Sequence, residues 1–165
     1  MNWCLIYTKP QQEKYALLNL ERQGYKCYLP MVSIEKISRG LLTIVDEPLF
    51  PRYLFAGFDN AASNKSWSPI RSTKGVRGLV VFGTKPAIVS EDLINAIRIR
   101  EGVINEPKQF FTPGELVTIT DGVFAGVEAI YQMKDGESRI KVLIELIGKK
   151  TQISVSPSGV HKIKL

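Results

Sequence analysis

EPLFPRYLFAGF, residues Glu47 to Phe58, decides how the chain is read. It is an extended segment, opened by two prolines and rich in the aromatic residues that suit strands. With a period of two, Leu54, Ala56 and Phe58 face one side while Tyr53 and Phe55 face the other. Both sides are apolar, so this strand needs cover on each face. The question it raises is what Tyr53 and Phe55 press against.

Working outward, WCLIYT alternates Trp3, Leu5 and Tyr7 against Cys4, Ile6 and Thr8, as a strand does. TKPQQEKYALLNLERQGY predicts a helix with Thr8 or Lys9 at the cap, Pro10 near its first position and Gly24 just past its end. Ala16, Leu17 and Leu20 form its apolar face. YKCYLP, MVSIEKI and LLTIVDE read as strands, the last two joined as a hairpin around Ser38, Arg39 and Gly40. After a polar loop comes GVRGLVVFG, and SEDLINAIRIREG closes the section as a helix with Ser90 as cap. The expected organisation is an N-terminal α/β domain over residues 1–100, a proline-containing linker over 101–110, and a small unit over 111–165.

That small unit is ambiguous. PGELVTITDGVFAG and RIKVLIELIGKKTQISVS carry β-branched runs and turn glycines, which predict a five-stranded barrel. Val123, Phe124, Val127, Ile130 and Tyr131 also fall on one helical face, as do Ile140, Leu143, Ile144 and Ile147. Ile140, Val142, Ile144 and Leu146 equally alternate as a strand would. Helix propensities differ by only about 1 kcal/mol at Gly126 and a few tenths at each β-branched residue, so tertiary contacts decide.

The chain has 165 residues, 44% hydrophobic and 23% charged, as a soluble globular protein does. No apolar run approaches a membrane span, and the first residues lack the pattern of a signal peptide. Cys4 and Cys27 form no metal-binding or disulfide pattern, which suits a reducing cytoplasm. The net charge is +6, and all of the excess lies in residues 1–100, with 14 basic against 8 acidic side chains. Nucleic acid is therefore expected to meet that part. No phosphate loop, nucleophile elbow or Cys/His cluster is present. His161 has no partner in the sequence pattern, and Asp46 and Glu47, adjacent on a strand, point apart. A non-enzymatic protein without a cofactor or metal is expected.

Binding features are better represented. Gln12, Tyr15 or Ala16, Asn19 and Arg22 form a stripe on the first helix, headed by Lys9; Arg39 lies in the hairpin turn, and Thr73 and Lys74 precede Gly75. Lysine and arginine position phosphates, amide side chains reach base edges, and tyrosine stacks on an exposed base.

WCLIYTKP, LERQGYKCYLP, EPLFPRYLF and STKGV occur in the order found in NusG-type transcription factors, and PGELVTITDGVFAGVEAIY resembles their KOW motif. Within that family, IEKISRG, DEPLFP, TKPAIVSEDLI and Ala129 are most like the specialised RfaH-type antiterminators. The resemblance implies an α+β protein: an NGN-like α/β sandwich followed by a KOW domain. The latter would be a five-stranded SH3-like β-barrel or, in a closed autoinhibited state, an α-helical hairpin.

It further implies a monomeric elongation factor that docks on the clamp of the largest RNA polymerase subunit through Tyr7, Phe50, Tyr53 and Phe55. A second polymerase contact would fall near Ser66 and Trp67. Lys9, Gln12, Tyr15, Asn19, Arg39, Thr73 and Lys74 take the positions that read single-stranded non-template DNA, and Glu47 and Arg139 those of an interdomain ion pair. The specialised members carry a basic residue and a histidine where Tyr15 and Asn19 stand, and arginine in place of Lys74. The released barrel would bind a small-subunit ribosomal protein, coupling transcription to translation. The other readings are a general NusG-type elongation and termination factor and a ribosome-associated KOW RNA-binding protein.

Overall fold

The computed structural model describes residues 1–58, 67–103 and 106–164. It divides into two compact units, Met1–Val32 with Asp46–Asn105 and Ser33–Val45 with Glu106–Leu165.

In the first unit, β1 (Asn2–Thr8) lies centrally. α1 (Glu13–Arg22), β2 (Lys26–Tyr28) and β5 (Tyr53–Phe58) follow; between β2 and β5 the chain forms β3 (Met31–Ser38) and β4 (Leu41–Pro48), most of which, Ser33–Val45, belongs to the second unit. Then come α2 (Ser68–Arg71), β6 (Val76–Leu79), the short hairpin β7 (Val81–Phe82) and β8 (Lys85–Pro86), β9 (Ile88–Ser90) and α3 (Glu91–Val103). β2, β5, β1 and β6 are neighbours in that order, and β9 also pairs with β1. β1 runs antiparallel to β5, with Tyr7 opposite Tyr53 and Leu5 opposite Phe55.

The sheet is buried on both faces. Cys4, Ile6, Leu54 and Ala56 pack with Ala16 and Leu20 of α1 and Ile70 of α2. Trp3 and Phe55 pack on the other side with Ile94 of α3, flanked by Leu5, Tyr28 and Ile97. Ser90 caps α3, its Oγ accepting from Leu93 N at 3.3 Å, as its position before two acids predicts. Glu101, near the end of α3, accepts from Tyr28 Oη at 2.5 Å and Met31 N at 2.8 Å. Those bonds fix the helix to the β2–β3 connection.

Two sequence expectations are corrected in this unit. α1 begins at Glu13 with Gln12 as cap, three to four residues after the predicted Thr8 or Lys9. Gln11 takes φ 57°, left-handed backbone that a helix cannot include. α3 runs on to Val103, through the first part of the expected linker.

In the second unit, β10 (Leu116–Ile119), β11 (Glu128–Lys134), β12 (Ile140–Leu146), β13 (Lys149–Val155) and β14 (Val160–Lys162) form one antiparallel sheet in the order β13-β12-β11-β10-β14. Val117, Ile119, Ala129, Tyr131, Ile140, Val142, Ile144 and Val160 bury against Phe111. The two-residue period wins on β12: Ile140, Val142 and Ile144 point inward while Glu145 is exposed. The α-helical hairpin is not adopted here. The arms of the β3–β4 hairpin belong to this unit, with Ile37 and Leu42 packed on its core. Arg39 and Gly40 have φ 52° and 80°, the two left-handed residues that a tight hairpin turn requires.

Lys108 pairs with this hairpin, accepting from Glu35 N at 2.8 Å and donating to Ser33 O at 3.0 Å. The buried Glu35 carboxylate accepts from Phe110 N at 3.1 Å and is ion-paired with Lys134. A carboxylate out of water requires such partners.

Candidate nucleic-acid and protein interface

One end of the first unit's sheet gathers most of the predicted residues. The chain turns from β4 into β5 over Phe50–Tyr53, closed by a hydrogen bond from Tyr53 N to Phe50 O of 3.1 Å. Pro51 occupies the second position and Arg52 the third with φ 70°, the pattern of a type II turn. Glycine or asparagine is usual at that third position, and arginine there is strained.

Its surroundings hold it. Glu13, itself buried, accepts from Arg52 N at 2.8 Å. The Arg52 Nε and Nη2 groups both donate to Thr8 O at 3.3 Å. The guanidinium lies over the Tyr7 ring, 4.2 Å from its centre.

Around that turn lie the aromatic side chains. Tyr7 and Tyr53 are half-buried with ring centres 5.2 Å apart, and Phe50 is 40% exposed, edge-on to Phe55 at 6.3 Å. Phe55 is different. It is only 5% exposed, stacked near Tyr28 and packed on Ile94. The second face of β5 is thus divided: α3 covers Phe55, and Tyr53, two residues closer to the turn, stays accessible. Removing a buried phenylalanine costs about 3–5 kcal/mol, so Phe55→Ala tests folding before it tests binding. Trp67 also packs inward, edge-on to Phe58 at 5.0 Å. Ser66 lies outside the described residues.

The predicted basic stripe adjoins the same end of β1. Thr8 N donates to Arg52 O at 2.8 Å, and the next residue, Lys9, donates to Gly75 O at 2.9 Å. Asn19 Nδ2 donates to Lys74 O at 3.2 Å, tying the 73–75 loop to α1. Gly75 makes the approach possible. Its φ is 91°, and a Cβ there would sit 2.9 Å from Ala16 N. Lys9 and Lys74 are exposed, Tyr15 is 47% exposed and Gln12 is half-buried.

Thr73 is buried, its hydroxyl donating to Pro69 O at 2.8 Å and accepting from Gln23 Nε2 at 2.9 Å. It shapes the loop. Arg39 is exposed on the β3–β4 turn, in the second unit. Arg139 donates to Ser154 Oγ at 2.8 Å and to Ser154 O, and that hydroxyl donates to Asp135 at 2.7 Å. The Ser154 bond, helped by Lys141, holds the Asp135 carboxyl below its ordinary range. Glu47 stands near the end of β4 in the first unit.

Sequence reasoning missed Arg52 and Glu13. The signal was present in PR before an aromatic strand, a proline–arginine pair at turn positions, but Glu13 lies 39 residues away.

Among the described residues no cluster of ligating side chains suits a metal ion, and no helix is long and apolar enough to cross a membrane.

Residues 1–98 match the family model described as transcription termination factor nusG. The Transcription termination/antitermination protein NusG of Rickettsia conorii is 30% identical, over 97% of this chain and 89% of that protein. The same-named protein of Thermus thermophilus is 26% identical over 98% of each, and that of Escherichia coli K12 is 29% identical over 92% of this chain and 85% of its own. The chain belongs to the NusG family of transcription termination and antitermination factors.

Proposed function

We infer that this chain is an elongation factor that binds RNA polymerase through Tyr7, Phe50 and Tyr53, over a floor made by Phe55. It holds displaced non-template DNA through Lys9, Gln12, Tyr15, Asn19 and Lys74, suppressing pausing and termination at particular operons. One observation carries this reading. Two consecutive residues, Thr8 and Lys9, hydrogen-bond respectively to the aromatic turn and to the 73–75 loop. An aromatic anchor and a basic strip therefore share one rigid strand end, as a factor gripping both enzyme and DNA needs. It acts without catalysis. Arg39, on the turn of the other unit, contributes a further phosphate contact.

The second unit serves as the KOW-type module. A groove of about 370 Å³, lined by Ile119, Phe124 and Ile153 together with Asp121, Arg139 and Ser154, suits a segment of a small-subunit ribosomal protein that carries both apolar and polar side chains.

A general factor without sequence preference is the second reading, favoured by the strands formed over residues 116–162 where an autoinhibited form would be helical. Single-round transcription with the full chain separates them. Readthrough of pauses only on templates whose non-template strand carries a hairpin supports the specialised role. Equal action on all templates supports the general one, and no effect on either removes both.

A further inference from the structure

Arg52 raises a question that the aromatic anchor alone does not answer. Glycine would relieve the left-handed turn at no steric cost, yet the chain places there a long cation and holds it from three sides. Glu13 binds its main-chain N–H, Thr8 O accepts from Nε and Nη2, and Tyr7 supports the guanidinium face.

A guanidinium has five N–H bonds on three edges. Thr8 uses the Nε/Nη2 edge. The Nη1/Nη2 edge, two parallel N–H bonds with the spacing of a carboxylate, is left over. Among the described residues no carboxylate forms an ion pair with it. The residue is half-buried; its guanidinium lies over Tyr7, whose ring is 5.2 Å from that of Tyr53, and Phe50 stands two residues before it in the same turn.

We propose that Arg52 presents this Nη1/Nη2 fork to a carboxylate side chain on the polymerase surface that the surrounding aromatic rings dock against. The anchor thereby selects an acidic, rather than a wholly apolar, partner surface. This rests on the polymerase reading above. A nucleic-acid phosphate would also satisfy a guanidinium fork, but the flanking groups here are aromatic rings, the composition of a protein-binding centre. The rigid setting matters, because a preorganised fork loses little side-chain freedom on binding.

The test measures equilibrium binding of the full chain to core RNA polymerase and, separately, to single-stranded DNA. Wild type, Arg52→Gly, Arg52→Lys and Phe50→Ala are compared at several salt concentrations. Arg52→Gly relieves the left-handed turn but gives up the bonds to Thr8 O and the Tyr7 contact, so its melting temperature is expected to stay near that of wild type. Its polymerase affinity is expected to fall about tenfold or more, with a shallower salt dependence, while DNA affinity holds. Arg52→Lys keeps the charge without the fork and should recover only part of the loss.

Loss of binding in Phe50→Ala alongside wild-type binding by Arg52→Gly would overturn the role of Arg52 and leave the polymerase reading standing. Loss of DNA binding alone in Arg52→Gly would reassign the fork to phosphate and overturn the proposal. Absence of polymerase binding by wild type would overturn both.

Discussion

Gly75→Ala puts the clamp between the 73–75 loop and α1 to a quantitative test. The backbone there has φ 91°, outside the range an L-residue enters cheaply; the penalty is about 1–2 kcal/mol. The new methyl would meet Ala16 N at 2.9 Å, Cα at 3.0 Å and Cβ at 3.1 Å. These are atoms of a helix packed on the core, which cannot yield as a surface side chain would, and such overpacking costs about 1–3 kcal/mol. Against this, alanine restricts the unfolded chain and returns about 0.4–1 kcal/mol.

The net expectation is a loss of about 2–4 kcal/mol, a large share of the 5–15 kcal/mol typical of a folded domain. With a urea slope of about 1–3 kcal/mol per molar, the unfolding midpoint should drop by about 1–2 M. Tryptophan fluorescence is the suitable signal, since Trp3 and Trp67 both lie in the unit that contains Gly75. Gly78→Ala is the control: nothing stands within 4 Å of its added carbon, and it should be neutral or slightly stabilising. A midpoint for Gly75→Ala within about 0.3 M of wild type would refute the close-approach reasoning. Because Lys9 and Asn19 bond to this loop, the same variant should also weaken single-stranded DNA binding.

Two further outcomes follow from local geometry. Ile147 is fully exposed at φ 52° in the β12–β13 turn, a conformation that penalises a β-branched residue, so Ile147→Asn should stabilise the second unit by about 1 kcal/mol in urea unfolding followed by far-UV circular dichroism. An unchanged or lower midpoint would contradict that strain. Burial pushes the thiols of Cys4 and Cys27 from 9.0 up to about 12, so alkylation at neutral pH should wait on unfolding. Between those values the unfolded thiols have lost their protons while the folded ones retain them. Stability is therefore whole below pH 9 and falls as pH rises, by up to about 1.4 kcal/mol per pH unit for each thiol. A serine pair at these positions should flatten the alkaline limb of the stability profile; an unaltered limb would sink the assignment.

What the sequence determined by itself was mostly local. The alternation of β1 and β5, the Arg39–Gly40 turn and the Ser90 cap of α3 depend on backbone preferences and side chains within a few residues. Basic and aromatic side chains in family order also marked the strand end around Thr8. α1 starts later than its sequence pattern predicts because Pro10 suits a first helical turn, while the left-handed Gln11 belongs to the bend that brings Lys9 to Gly75.

Tertiary structure decided the remainder. Residues 140–147 satisfy both helical and strand periods, and strand pairing of β12 with β11 and β13 resolves them, because each pair supplies backbone partners from elsewhere in the chain. Phe55 looks as available as Tyr53 in the sequence. Only the reach of α3, ending its cover at Phe55, makes one a core residue and the other a surface anchor. Arg52 gained its meaning from Glu13 and Thr8, distant in sequence and joined by folding. Local order is written in neighbouring residues, whereas burial and the direction of a fixed charge arise from contacts that sequence separation conceals.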